Sequence, residues 1–235
     1  MAIYTIGDLH LSLGASKPMD IFRGWDDYVE KLRRGFECVN ADDTVVLCGD
    51  LSWGMSLEQA REDFRFISEL PGRKILLKGN HDYWFETVSK SQAFFTANGF
   101  ENMEILNNNA FLAEGVAICG TRGWIYDDNV DGTHNGKIMA REVQRLETSL
   151  RAAEKLSCTE KLCFLHYPPR FGSYVWRELI DVMYRYEVKR CWYGHIHGSG
   201  HRHAVQGKVE GIEYSMISAD YVDFVPQCIK IGANG

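Results

Sequence analysis

The chain has 235 residues, 45% hydrophobic and 25% charged, a balance expected of one globular domain spanning 1–235. A net charge of −6 offers no broad basic face for nucleic acid, and no apolar run approaches the roughly 18 residues of a membrane span. The N-terminus lacks the basic and apolar segments of a signal peptide, and seven cysteines without a CxxC pair argue against a disulfide framework, so a reduced, cytoplasmic chain is expected.

Five short apolar runs, at 2–6, 44–48, 74–77, 162–165 and 191–193, read as strands buried on both faces. The first ends in Gly7-Asp8-Leu9-His10. A three-to-four spacing from Ile21 through Trp25, Val29, Leu32 and Phe36 to Val39 predicts a helix before the second run, which ends in Gly49-Asp50. Leu57, Ala60, Phe64, Ile67 and Leu70 predict another, opened by a Ser56/Gln59 capping box. The third run leads into Gly79-Asn80-His81-Asp82, followed by a helix over 86–98 that stops at Gly99. Asn107–Asn109 predicts the turn of a hairpin over 103–120, and 122–137 reads as a long loop. Helices over 138–156 and 175–183 flank the fourth run, which ends in His166. The fifth ends in Gly194-His195-Ile196-His197, and 201–231 reads as β-rich with turns near Gly207 and Gly211. Strand–helix alternation with these β segments predicts an α/β fold with mixed sheets.

Every one of the five runs is followed at once by a potential metal ligand. In α/β sheets the carboxyl ends of parallel strands share one edge, so the five motifs can converge there. Glycine ahead of a ligand lets the chain turn sharply. Imidazole, amide and carboxylate donors without cysteine suit Mn, Fe or Zn, and a shared carboxylate such as Asp50 can hold two ions about 3.5–4 Å apart. Such a pair polarises a phosphoryl oxygen and generates hydroxide from a bridging water for in-line attack on phosphorus.

In this order, D-x-H, G-D, G-N-H-D, H and G-H-x-H, the motifs resemble those of the calcineurin-like metallophosphoesterase superfamily across residues 8 to 197. The resemblance implies a four-layer α/β/β/α sandwich with a dinuclear centre between loops. It assigns Asp8, His10 and His197 to one metal, Asn80, His166 and His195 to the other, and Asp50 to both. His81 would protonate the leaving oxygen. In the protein phosphatase branch the second motif continues as G-D-x-x-D-R-G, whereas this chain reads Gly49-Asp50-Leu51-Ser52-Trp53-Gly54, without the carboxylate that would orient His81 or the arginine that clamps a monoester. Arg122, after another apolar run, is a candidate phosphate contact. His201 and His203 read as strand or rim, His134 as solvated. The substrate expected is a small or medium-sized phosphate ester, a diester in preference to a monoester, with no membrane or nucleic-acid partner. The alternatives are a phosphomonoesterase or protein phosphatase-like activity, and a non-catalytic metal-binding scaffold.

Overall fold

The computed structural model describes residues 1–125 and 131–231. Its strands are β1 (Ile3–Ile6), β2 (Thr44–Cys48), β3 (Arg73–Leu77), β4 (Met103–Ile105), β5 (Phe111–Ala113), β6 (Val116–Thr121), β7 (Lys161–Leu165), β8 (Arg170–Phe171), β9 (Tyr174–Val175), β10 (Arg190–Tyr193), β11 (Gly207–Val209), β12 (Ile212–Met216) and β13 (Gln227–Ile229). The helices are α1 (Tyr28–Gly35), α2 (Arg61–Glu69), α3 (Val88–Ala97), α4 (Gly132–Ala153) and α5 (Arg177–Arg185).

Two mixed sheets face each other. One runs β13-β1-β2-β3-β4 and the other β11-β12-β10-β7-β6-β5, with a small β8-β9 hairpin apart. The inner strands of each are parallel, and antiparallel strands close three of the four edges: β13 on β1, β11 on β12, and β5 on β6.

Strand residues alternate between two apolar layers because successive side chains point to opposite faces. Val45 and Leu47 pack outward under α1, α2 and α3, while Val46 and Cys48 pack inward against the second sheet. On β7 the alternation repeats: Leu162 and Phe164 point inward, and Cys163 and Leu165 lie under α4 and α5. Three apolar layers thus separate helices, sheet, sheet and helices.

Several expected elements differ. Ile21 and Phe22 are 72% and 53% exposed, and α1 begins only at Tyr28, because Gly24 and Asp27 take left-handed backbone that a helix cannot contain. The Ser56 hydroxyl accepts from Gln59 N (3.3 Å), but Gln59 reaches back to Met55 N, and the bonds build a turn ahead of α2. Asn107–Asn109 is not a hairpin turn. It carries the chain from β4 in one sheet to β5 in the other, and the hairpin is β5–β6, turning at Glu114-Gly115. Part of the expected loop 122–137 is helix, since Asp131 accepts from His134 N (3.1 Å) and starts α4 at Gly132; residues 126–130 lie outside the described residues. His201 and His203 lie in a 3-10 segment, Gly198–His203, rather than a strand.

Candidate metal centre

At one edge of the sandwich the strand ends continue to pair beyond the strands. Asp8 N donates to Gly49 O (2.8 Å), His10 N to Asp50 O (2.9 Å) and Gly194 N to His166 O (3.1 Å). Gly7 joins the sheets, donating to Ile217 O (2.8 Å) and accepting from Ala219 N (3.0 Å). The five motifs therefore meet where the two sheets are stitched together.

The turns there are tight. Asp8, His10, Asp50 and His195 all have positive φ, between 46° and 72°, which L side chains adopt at a cost. Two glycines make the approach possible. A Cβ on Gly79 would lie 2.1 Å from Asp50 Oδ1, and one on Gly194 would lie 2.4 Å from Asp8 Oδ2.

Donor atoms of Asp8, His10 and His197 lie within 4.8 Å of one another, and so do those of Asp50, His166 and His195. Asn80 joins the second group, its Oδ1 2.7 Å from His166 Nε2. Asp50 Oδ2 stands between the groups, 3.8 Å from His10 Nε2 and 3.5 Å from His166 Nε2. The structure thus brings together all seven ligand positions expected from the sequence.

The donor chemistry fits metal ions. His166 Nδ1 lies 3.0 Å from Cys48 O, which can only accept, so in the neutral ring the proton is on Nδ1 and the Nε2 lone pair faces Asn80 Oδ1 and Asp50 Oδ2. His197 Nδ1 likewise donates to Asp220 Oδ1 (2.8 Å), turning Nε2 toward Asp8 Oδ1 (3.7 Å) and His10 Nε2 (3.2 Å). Donor atoms crowd together in both groups, and protons held there by His197 and Asp50 stand where a cation would replace them. The partners behind the rings fix their tautomers, as supporting groups of metal-bound histidines do.

Burial drives His10 well below the usual imidazole range and His195 down to about 3, so both are neutral donors at pH 7. Burial acts on Asp8 in the opposite direction, but His197, His166 and His10 together hold its carboxyl well below the carboxylate range. Asp50 is pushed up to about 7, first by burial and then by Asp82 and Asp8, against the pull of His166. His197 rises to about 10 despite its burial, because Asp220 and Asp8 face it.

The sequence matches the calcineurin-like phosphoesterase family over residues 1–199. The chain belongs to that family. Among solved structures this calcineurin-like chain is similar to the Thermus thermophilus protein TT1561, at 14% identity, with 83% of this chain and 81% of that one covered and a TM-score of 0.53. It is also similar to the Aquifex aeolicus protein of unknown function AQ665, at 15% identity over 97% and 95% of the two chains, with a TM-score of 0.49. The first likeness supports the fold. No curated protein matches the chain.

Above the donors lies a cavity of about 450 Å³, walled by Met19, Phe22, Trp25 and Trp53, with Arg23 at its side. His81 also lines it: the ring leans on Trp53 (centroids 4.4 Å apart), the backbone N–H donates to Asp50 Oδ1 (2.7 Å), and burial lowers its pKa. Aromatic packing thus orients His81 where the phosphatase branch uses a carboxylate. Arg122 is elsewhere. Its guanidinium lies over Trp124 (5.1 Å), 3.7 Å from Glu142, and lines a different cavity.

Three acidic residues have no role in the motif reading, although Asp82 ends the third motif. Buried Asp82 ties the second and third motifs, accepting from Gly79, Asp50, Leu51 and Ser52 N–H groups (2.7–3.2 Å) and from Trp84 Nε1 (2.8 Å). Asp63 accepts from Ser52 Oγ and from Leu13 N (2.7 Å), linking the first and second motif loops. Asp220, which holds His197, also lies 3.2 Å from His201 Nε2. It lies a short way past the end of β12, so a wider reading of strand ends could have found it.

Proposed function

We propose that this calcineurin-like chain is a two-metal phosphoesterase that prefers phosphodiesters. The observation that carries the reading is the pair of converging donor groups, Asp8/His10/His197 and Asn80/His166/His195, with Asp50 between them. Two divalent ions, Mn, Fe or Zn by the donor types, would polarise the phosphoryl oxygens and lower the pKa of a water there. Asp50 would touch both ions. His81, on the cavity side, would deliver a proton to the leaving oxygen from a ring that Trp53 holds in place. The complete donor sets speak against a scaffold that has lost its chemistry.

The diester preference follows from the cavity wall. A diester carries an organic group on each side of phosphorus, and Met19, Phe22, Trp25 and Trp53 offer apolar contact for one of them. A monoester dianion needs an added cation held close to the donors; Arg122 is not in this cavity, and Arg23 at its side is solvent-exposed, where a charge contact is weak.

The test uses protein loaded with Mn²⁺ or Zn²⁺, comparing bis-p-nitrophenyl phosphate with p-nitrophenyl phosphate in wild type and His81→Ala. The expected outcome is higher kcat/KM for the diester. For His81→Ala, a loss of about 10²–10⁴-fold is expected with alkyl esters and a smaller one with nitrophenyl esters, which need no proton. A faster monoester overturns the diester preference, and no hydrolysis of either with any of these metals overturns the phosphoesterase reading.

A further inference from the structure

A second cavity, of about 160 Å³, opens where the ends of β3 and β6 meet. It lies next to the metal centre but is separate from it. Lys78 stands two residues before Asn80, and the Arg122 carbonyl accepts from His166 N (3.1 Å). Lys78, Arg122 and Arg145 line the cavity from three elements, with Thr121, Asn107 and Glu86.

Its charge does not balance. Glu86 is paired with Lys90, which leaves two buried carboxylates, Glu142 and, on the Lys78 side, Asp82, to face three cations. Glu142 is fully buried and already engaged: it accepts from Arg145 (2.6 Å), Thr121 Oγ1 (2.6 Å) and Gly123 N (3.2 Å). Arg122 comes no nearer to it than 3.7 Å, beyond hydrogen-bond range, and Arg122 Nε is buried with no hydrogen-bond partner among the described residues. Lys78 Nζ sits over the Phe85 ring (5.2 Å) and has no carboxylate partner among the described residues. Cations crowded into a partly buried hollow repel one another and lose hydration, a cost that an anion between them removes.

We propose that this cavity is a binding site for a phosphate-class oxyanion, gripped by Arg122 and Arg145 through planar N–H donors and by Lys78 as a point charge. Guanidinium groups match the geometry of phosphate, and charge-assisted hydrogen bonds are the strong kind. Two sources share this chemistry: free inorganic phosphate, and a second phosphate group on a ligand that also reaches the metal centre. The site stands on its own residues and does not depend on which ester the centre hydrolyses.

The test is equilibrium dialysis of labelled inorganic phosphate against metal-loaded wild type, Lys78→Met, Lys78→Arg and Arg145→Gln, with metal content and circular dichroism recorded for each. Wild type should bind an equivalent of phosphate beyond that at the metal centre. Lys78→Met and Arg145→Gln should weaken that class about tenfold, as loss of a charge-assisted contact implies, and Lys78→Arg should keep it. A second arm compares nitrophenyl esters with and without a second phosphate group. If the second phosphate raises kcat/KM in wild type but not in Lys78→Met, the occupant is part of the substrate. If it makes no difference in either protein while the dialysis effect holds, the occupant is free phosphate. Equal phosphate binding by wild type, Lys78→Met and Arg145→Gln overturns the site.

Discussion

At the scale of single residues, the metal-free centre holds protons that the unfolded chain would release. Asp50 keeps its proton up to about pH 7, whereas an unfolded aspartate gives it up near 4. Its contribution to folding therefore becomes less favourable as pH rises from about 4 to 7. His197 keeps its proton to about pH 10 against roughly 6.5 unfolded, so its contribution is complete below about 6.5 and is lost as pH climbs toward 10. Both effects run the same way, and metal binding must expel both protons. His10 and His195 work the other way below about pH 6.5, where the unfolded chain protonates them and the folded centre does not. The melting temperature of chelator-treated protein should therefore fall from about pH 7 to 9, while the increment from saturating Mn²⁺ grows; an increment independent of pH would contradict it. A second expectation concerns Asp220→Asn, which removes the charge behind His197 but keeps an acceptor. Metal affinity should fall about 10–100-fold by competition titration against a fluorescent chelator; unchanged affinity would make Asp220 a spectator. The ligand positions were legible in the sequence because each ends an apolar run. Asp220 was not read, since no histidine or glycine marks it, and Arg122 was placed wide of the cavity it lines because nothing local tells which way a guanidinium folds.

At the scale of elements, what matters is how closely the loops at the strand ends approach. Gly194 leaves room for the Asp8 carboxylate, whose two oxygens accept from His195 N (3.0 and 2.9 Å). Gly194→Ala should push that carboxylate away and lower metal occupancy by elemental analysis with circular dichroism unchanged. Full occupancy would show that the loop gives way instead. Strand positions matched the sequence reading within a residue or so, because these five strands are buried on both faces over nearly all of their length. Helix beginnings did not. The Ile21-Phe22 pair continues the α1 periodicity but serves another purpose, since Phe22 walls the active cavity. Apolar spacing does not tell a residue that packs into the core from one that lines an open cavity.

Across the whole molecule, the layer between the sheets sets how the two halves of the centre face each other. Asp8, His10, Asp50 and Asn80 come from one sheet, and His166, His195 and His197 from the other. Ile118, buried in that layer on β6, bears no ligand. Ile118→Ala should cost about 2–5 kcal/mol in chemical denaturation of metal-free protein. Because metals bind the folded state alone, saturating Mn²⁺ should raise the denaturation midpoint of the variant as it does that of wild type. Failure of the metal to raise it would mean that the sheets no longer hold the two donor groups in register. The four layers followed from the family resemblance, but the switch of the chain between sheets at Asn107–Asn109 did not, since an Asn-rich turn looks the same whether the strands it joins pair or part.

The indole packing around His10 has an optical consequence. Trp53 stacks on that ring at 5.2 Å, and Trp25 meets it edge-on at 5.7 Å and His197 at 5.8 Å. Two fluorophores therefore lie against imidazoles expected to bind metal. Filling the centre with paramagnetic Mn²⁺ should dim the protein's intrinsic emission, whereas closed-shell Zn²⁺ should leave it brighter at equal occupancy. The chain carries its own readout of which metal it holds.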